Sequence, residues 1–245
     1  MAALAWGVCA SSERAAAQAP PPAAKAPSPW KVVRPAEPRN GKVEVPKMLR
    51  SGEVTDAKLL EDYGTYMISQ LTWPETESDF FKFRNYIKSV LKIGKDPARE
   101  RLIKQVILPF CTRVAKGPEY SPQARVNAVL VIGDLNQVEP VPNGPPQVSL
   151  ADARPVLLEL VDPQKPVDDL HDALRTVAMI GLMNHLERGG IADDRQKKQA
   201  LDYMQAILKA EQPPAGRTEA VHKWIKRLAN EVASGLNGGR VATGR

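Results

Sequence analysis

The chain has 245 residues, 43% hydrophobic, 25% charged and 5% aromatic, with a formal net charge of +6. That length bounds it to one globular domain or two small ones, and it holds no apolar run of about 18 residues that would make a membrane-spanning helix. Two cysteines, Cys9 and Cys111, exclude a disulfide framework and a cysteine zinc site.

Residues Met1 to Ala10 are apolar and small, and Ala15-Ala16-Ala17-Gln18-Ala19 follows. Both Ala-x-Ala triplets fit a signal-peptidase site. Cleavage after Ala17 is preferred, because a cut after Ala19 would leave Pro20 directly beyond it. Residues 1–17 therefore read as a signal peptide, which places the protein in the periplasm or cell envelope. The missing basic n-region fits a start codon placed late. Residues 18–50 are rich in Pro and Ala, with Pro20, Pro21, Pro22, Pro27, Pro29, Pro35, Pro38 and Pro46. They read as a disordered, polyproline-like linker.

From residue 51 the apolar spacing is helical throughout, and no strand alternation bounded by hairpin turns is found. Thr55 is expected to cap a helix over 56–71, ended by Trp73-Pro74. Ser78 is expected to cap the next, over 79–93, with Phe80, Phe83, Ile87, Val90 and Leu91 on one face. These two form an N-terminal helical pair, residues 51–96. A helix opens at Asp96-Pro97 and runs to 116, with a kink expected at Pro109. The helix opened by Ser121-Pro122 is apolar nearly all round, so it is expected between neighbours. Further helices are expected over 152–161, 167–187, 194–210 and 218–235. Residues 237–245 read as a flexible tail.

Charge is segregated along the chain. Residues 51–81 carry one basic and seven acidic side chains, 82–116 ten and two, and 117–175 four and nine. The basic stretch is a candidate anion-binding face, with Lys82, Arg84, Lys88, Lys92, Lys95, Arg99, Arg101 and Lys104 as contacts. A solvated helix face is the plainer reading of the same pattern.

Two segments align with each other. Ala124-Arg125-Val126-Asn127-Ala128-Val129-Leu130 matches Leu174-Arg175-Thr176-Val177-Ala178-Met179-Ile180, and Lys226 with Ala229 makes a weaker third copy. Each falls on the second helix of a pair, and a helical hairpin repeated near this period points to an α-solenoid. Here the chain resembles the HEAT-repeat family. Residues 122–135 look like a HEAT second helix with Arg125 at its basic position, and Leu157 to Pro163 resembles the end of a first helix running into its turn. The resemblance spans 97–236 and implies an all-α fold of helical hairpins stacked as a short right-handed solenoid. It also implies that Arg125, Arg175 and Lys226 are structural, bridging to the turn of their own or the next repeat.

The histidines are His171, His185 and His222. No His-Glu-x-x-His, P-loop, Gly-x-Ser-x-Gly or strand-linked Gly-x-Gly-x-x-Gly is present. Asp168, Asp169 and Asp172 beside His171 could suggest a metal phosphohydrolase, but helix N-terminal acids explain them more simply. Cys111 lies in apolar surroundings and reads as a buried, inert thiol. The expectation is a non-catalytic scaffold that binds a protein or peptide, with no cofactor or metal. The alternative is a binder of an anionic polymer, nucleic acid or cell-envelope material, through 82–104.

Overall fold

A computed structural model describes residues 29–140 and 143–238, which are mostly helical. The expected signal peptide with Cys9, residues 18–28 of the linker and residues 239–245 of the tail lie outside the described residues.

The linker reading fails from residue 29 onward. Residues 31–38 have no regular secondary structure but hydrogen-bond to the body, and α1 (Gly41–Ser51) follows. Val45, Met48 and Leu49 recur at i, i+3 and i+4 and are buried, so α1 belongs to the core. Pro46 obscured this pattern. Gly52, at φ 87, ends the helix by donating its N–H to the Met48 carbonyl.

α2 (Ala57–Ser69) is capped by Asp56, not Thr55: the Asp56 carboxylate accepts the Leu59 N–H at 2.8 Å. Two short 3-10 turns, Gln70–Thr72 and Pro74–Asp79, lead to α3 (Phe80–Ile93). Ser78 is not its cap. The residue before the helix is Asp79, which makes no capping hydrogen bond.

The rod expected over 97–116 is continuous: α4 (Ala98–Arg101), a π-helical stretch (Leu102–Ile107) and α5 (Leu108–Lys116). Pro109 has no N–H to offer the carbonyl one turn back. The turn before it widens, and Leu108 donates to the Ile103 carbonyl five residues earlier.

α6 (Pro122–Asp134) has buried residues on nearly every side. A small antiparallel ribbon follows, β1 (Asn136–Val138) with β2 (Val148–Ser149), where the sequence suggested only loop. Next come α7 (Arg154–Val161), α8 (Asp169–Glu187), α9 (Asp194–Lys209) and α10 (Glu219–Leu236). Asp168, Asp193 and Thr218 cap the last three through their side chains.

α5 packs on α6, α7 on α8, and α9 on α10. The second members lie side by side, α6 against α8 and α8 against α10, while α7 touches α9. α3 packs on α6, and α2 lies on the π-helical stretch. One apolar core joins all of these pairs, from Val45 to Leu236.

α6 and α8 cross at Gly133 and Gly181. A Cβ on Gly133 would stand 2.7 Å from the Gly181 Cα, a backbone atom with no rotamer to escape into. In most helix interiors Gly→Ala gains about 0.5–1 kcal/mol of stability. Gly133→Ala is expected to do the reverse and lose about 1–3 kcal/mol, because the helices must separate. Urea denaturation of the two proteins reads the sign.

Candidate functional site

The last carbonyls of an α-helix lack intrahelical donors and need partners when buried. Arg125 on α6 donates through Nε to the Ala115 carbonyl in the last turn of α5, at 3.1 Å. Arg175 on α8 donates to the carbonyls of Asp162 and Lys165 after α7, at 3.4 and 3.3 Å. Lys226 on α10 donates to the Ala210 carbonyl after α9, at 3.0 Å. These three side chains thus do one job, holding a helix to the end of the helix before it. Backbone carbonyls take the place of the expected acidic partner at Arg125 and Lys226.

Two more arginines close the opposite ends. Arg99, at the start of α4, donates to the Asn136 carbonyl at 2.9 Å and to that of Gln137. Arg154, at the start of α7, donates to the Gly190 carbonyl at 3.0 Å and to His185 Nδ1 at 3.4 Å. Burial lowers the guanidinium pKa of Arg125, Arg154 and Arg175, and at Arg175 the Asp172 carboxylate acts against that shift.

Asp172 is more than a helix N-terminal acid. Its oxygens accept from Arg175 at 2.5 Å and from Arg217 at 2.7 and 2.6 Å. All three side chains are buried. Arg217 lies in the loop before α10, so this triad fastens the last hairpin to the one before it. Asp168 caps α8 at the His171 N–H and meets His171 Nδ1 at 2.7 Å. Among the described residues no group of three or more His, Cys, Asp or Glu is placed to hold a metal ion.

The expected anion-binding set is dispersed. Lys82 pairs with Asp79, Lys88 with Asp134 at 2.6 Å, Arg101 with Glu61 at 2.7 Å, and Lys104 with Glu100 at 2.8 Å. Arg84 donates to the Asn127 side chain. Arg99 is 5% exposed and committed to carbonyls, so it is withdrawn from solvent altogether. Among the described residues Lys92 and Lys95 alone of the set have no side-chain partner.

Lys88 and Lys92 do meet in one place. A cleft of about 320 Å³ opens between α3, the end of α6, the ribbon and Arg188 just beyond α8. Asp134 is its centre: Lys88, Arg188 at 3.8 Å and the Asn184 amide at 3.4 Å all reach its carboxylate. Glu139 receives the Asn136 amide at 3.0 Å and faces Arg99 at 3.8 Å. Asn85, Gln147 and Lys92 complete the wall. The site offers donors and acceptors of both signs, with cations in excess, and Lys92 is its unneutralised member. A larger depression beside Val54, Pro97 and Gln105 is shallower in chemistry, since its Glu100, Arg101 and Lys104 are spent on ion pairs.

Sequence reasoning reached Lys88 and Lys92 but missed Asp134, Asn136, Glu139, Gln147 and Arg188. One signal was present: Asp134 and Asn184 occupy equivalent places after Arg125 and Arg175 in the aligned segments. Cys111 is fully buried, and burial pushes its thiol pKa up, so it is not a thiolate nucleophile. His185 is also fully buried, and desolvation, with Arg154 and Arg188 nearby, lowers its pKa to about 3.

A scan against protein-family models finds no match, and searches of curated proteins and of solved structures find no significant match either.

Two outcomes follow from these buried charges. Asp172→Asn leaves two guanidiniums without a counter-charge and is expected to cost about 3–5 kcal/mol. Exposed Asp169→Asn is expected to cost under about 0.5 kcal/mol in the same denaturation series. For His185 the unfolded imidazole takes a proton below about pH 6.5 and the folded one only near pH 3. The unfolded state therefore holds more protons in that window, and stability falls as pH drops through it, by about 1.4 kcal/mol per unit. In His185→Gln, whose side-chain oxygen can still accept from Arg154, that slope is expected to flatten.

Proposed function

We propose that the chain is a non-catalytic interaction module, a short HEAT-like α-solenoid that works in the cell envelope after export. Supporting the solenoid reading is the recurrence of one bond, second-helix base to first-helix carbonyl, at Arg125, Arg175 and Lys226. Stacked hairpins of this kind present a continuous row of second helices as a binding surface. The observation that carries the binding reading is the cleft against that row. It is open and lined mostly by polar and charged residues, and its Lys92 has no partner among the described residues.

The partner is a protein or peptide whose acidic groups meet Lys92 and the Lys88–Asp134–Arg188 cluster. The anionic-polymer alternative has less support, because most of the basic stretch is already neutralised within the fold.

The test is tagged full-length protein expressed in its native host, cross-linked and recovered at low and high salt. Lys92→Glu changes an exposed, unpaired side chain, so its melting temperature is expected to match the parent. A stoichiometric protein that survives high salt and falls at least tenfold with Lys92→Glu is the expected result. Equal recovery by both proteins removes the cleft from the account. Nucleic acid or envelope polymer lost at high salt favours the alternative. The mature N-terminus of the same sample, expected at Gln18, tests export.

A further inference from the structure

Residues 31–34 form a strap that lies across two turns of the body, against residues other than those that line the cleft. Its backbone is read like that of a bound peptide. The Val33 N–H donates to Thr72 Oγ1 at 2.9 Å, and the Trp73 indole N–H donates to the Val33 carbonyl at 2.7 Å. The Lys31 N–H donates to the Glu119 carbonyl at 2.8 Å. Its side chains are read as well. Arg34 pairs with Glu75 at 2.7 Å and stacks over the Trp73 ring at 4.8 Å. Lys31 pairs with Glu119 at 3.4 Å and stands over the Tyr120 ring at 5.4 Å.

The residues beneath the strap are also held by contacts that do not involve it. Trp73 is set by an edge contact with Tyr66, ring centres 5.9 Å apart, and its carbonyl accepts from Thr76 Oγ1 at 2.8 Å. Thr72 is fixed by donating to the Ser69 carbonyl at 2.8 Å. Tyr120 is buried in the core. A groove lined by aromatics suits a proline-flanked segment, and Pro29 and Pro35 flank this one.

The charged side chains of the strap's two ion pairs are each about half exposed, and such pairs add little stability. Beyond it Asn40, at φ 66, turns the chain into α1, which is anchored by its own buried residues. Departure of the strap would leave those α1 contacts in place.

We propose that the groove between Thr72–Glu75 and Glu119–Tyr120 is a second peptide-binding site, filled in cis by residues 31–34. Its ligand is an extended basic segment, with a lysine or arginine, two aliphatic residues and then an arginine followed by proline. A partner of that chemistry displaces the strap and takes over its hydrogen bonds. While bound in cis, the tethered strap competes at an effective concentration on the order of millimolar.

The probe is a synthetic peptide of residues 30–38, titrated by fluorescence anisotropy into the full chain and into its Lys31→Glu/Arg34→Glu variant. The reversed charges face Glu119 and Glu75 and drive the strap off, leaving the groove unchanged. Saturable binding, at least tenfold tighter to the variant than to the parent, is expected. Adding Trp73→Leu to the variant is expected to weaken it at least tenfold. Equal, weak binding to parent and variant overturns the proposal. If the variant loses its helical circular dichroism, hydrogen exchange of the parent decides. Millimolar peptide is expected to speed exchange at the Val33 amide and to leave the α1 amides unchanged, and an unaltered Val33 amide overturns the proposal.

Discussion

A helix that ends inside a protein leaves carbonyl oxygens that water cannot reach, and each costs stability until a donor arrives. This fold answers that constraint with long basic side chains. Arg125, Arg175 and Lys226 serve the ends of α5, α7 and α9, and Arg99 and Arg154 serve the chain beyond α6 and α8. A guanidinium or ammonium here satisfies carbonyls and fixes the spacing of two helices together. Its burial cost is offset because the carbonyl ends of helices attract positive charge. The same residues are therefore unavailable to a ligand.

The segregated charge of the sequence has the same explanation one level up. The basic stretch from Lys82 to Lys116 finds its acids on neighbouring elements: Glu61 before it, and Asp134, Glu139, Asp152 and Glu159 after it. Exposed pairs of this sort add little stability each. Their effect is on placement, since a block of one sign lies between two blocks of the other and matches adjacent helices in order. Asp134 marks the place where this matching is incomplete. Lys88 and Arg188 share it, Lys92 goes without, and an open cleft results.

The contact between Gly133 and Gly181 sets the other limit on the stack. Two helices that touch at glycine bring their backbones close and bury little side-chain volume at the crossing. Apolar residues around it then carry the packing, with Leu157 reaching towards Gly181 from α7. The core is continuous because second helices pack on second helices, so the loss of one hairpin would expose the face of the next.

The sequence by itself determined the helical character, most helix positions within a few residues, and the placing of Arg125, Arg175 and Lys226 on helices. Those depend on short-range periodicity. It misplaced α1, because Pro35 and Pro38 before it and Pro46 within it hid the triplet Val45, Met48 and Leu49. It took Arg99 for a surface base, because nothing local says that the ribbon at 136–138 folds over it. Tertiary structure alone decided which bases are spent on carbonyls, which acids neutralise the basic stretch, and where Lys92 is left over. Several of these contacts join residues about forty positions apart, as Arg101 with Glu61, Lys116 with Glu159 and Lys88 with Asp134 do. Pairing across such distances depends on helix order and crossing, which no local pattern in the chain encodes.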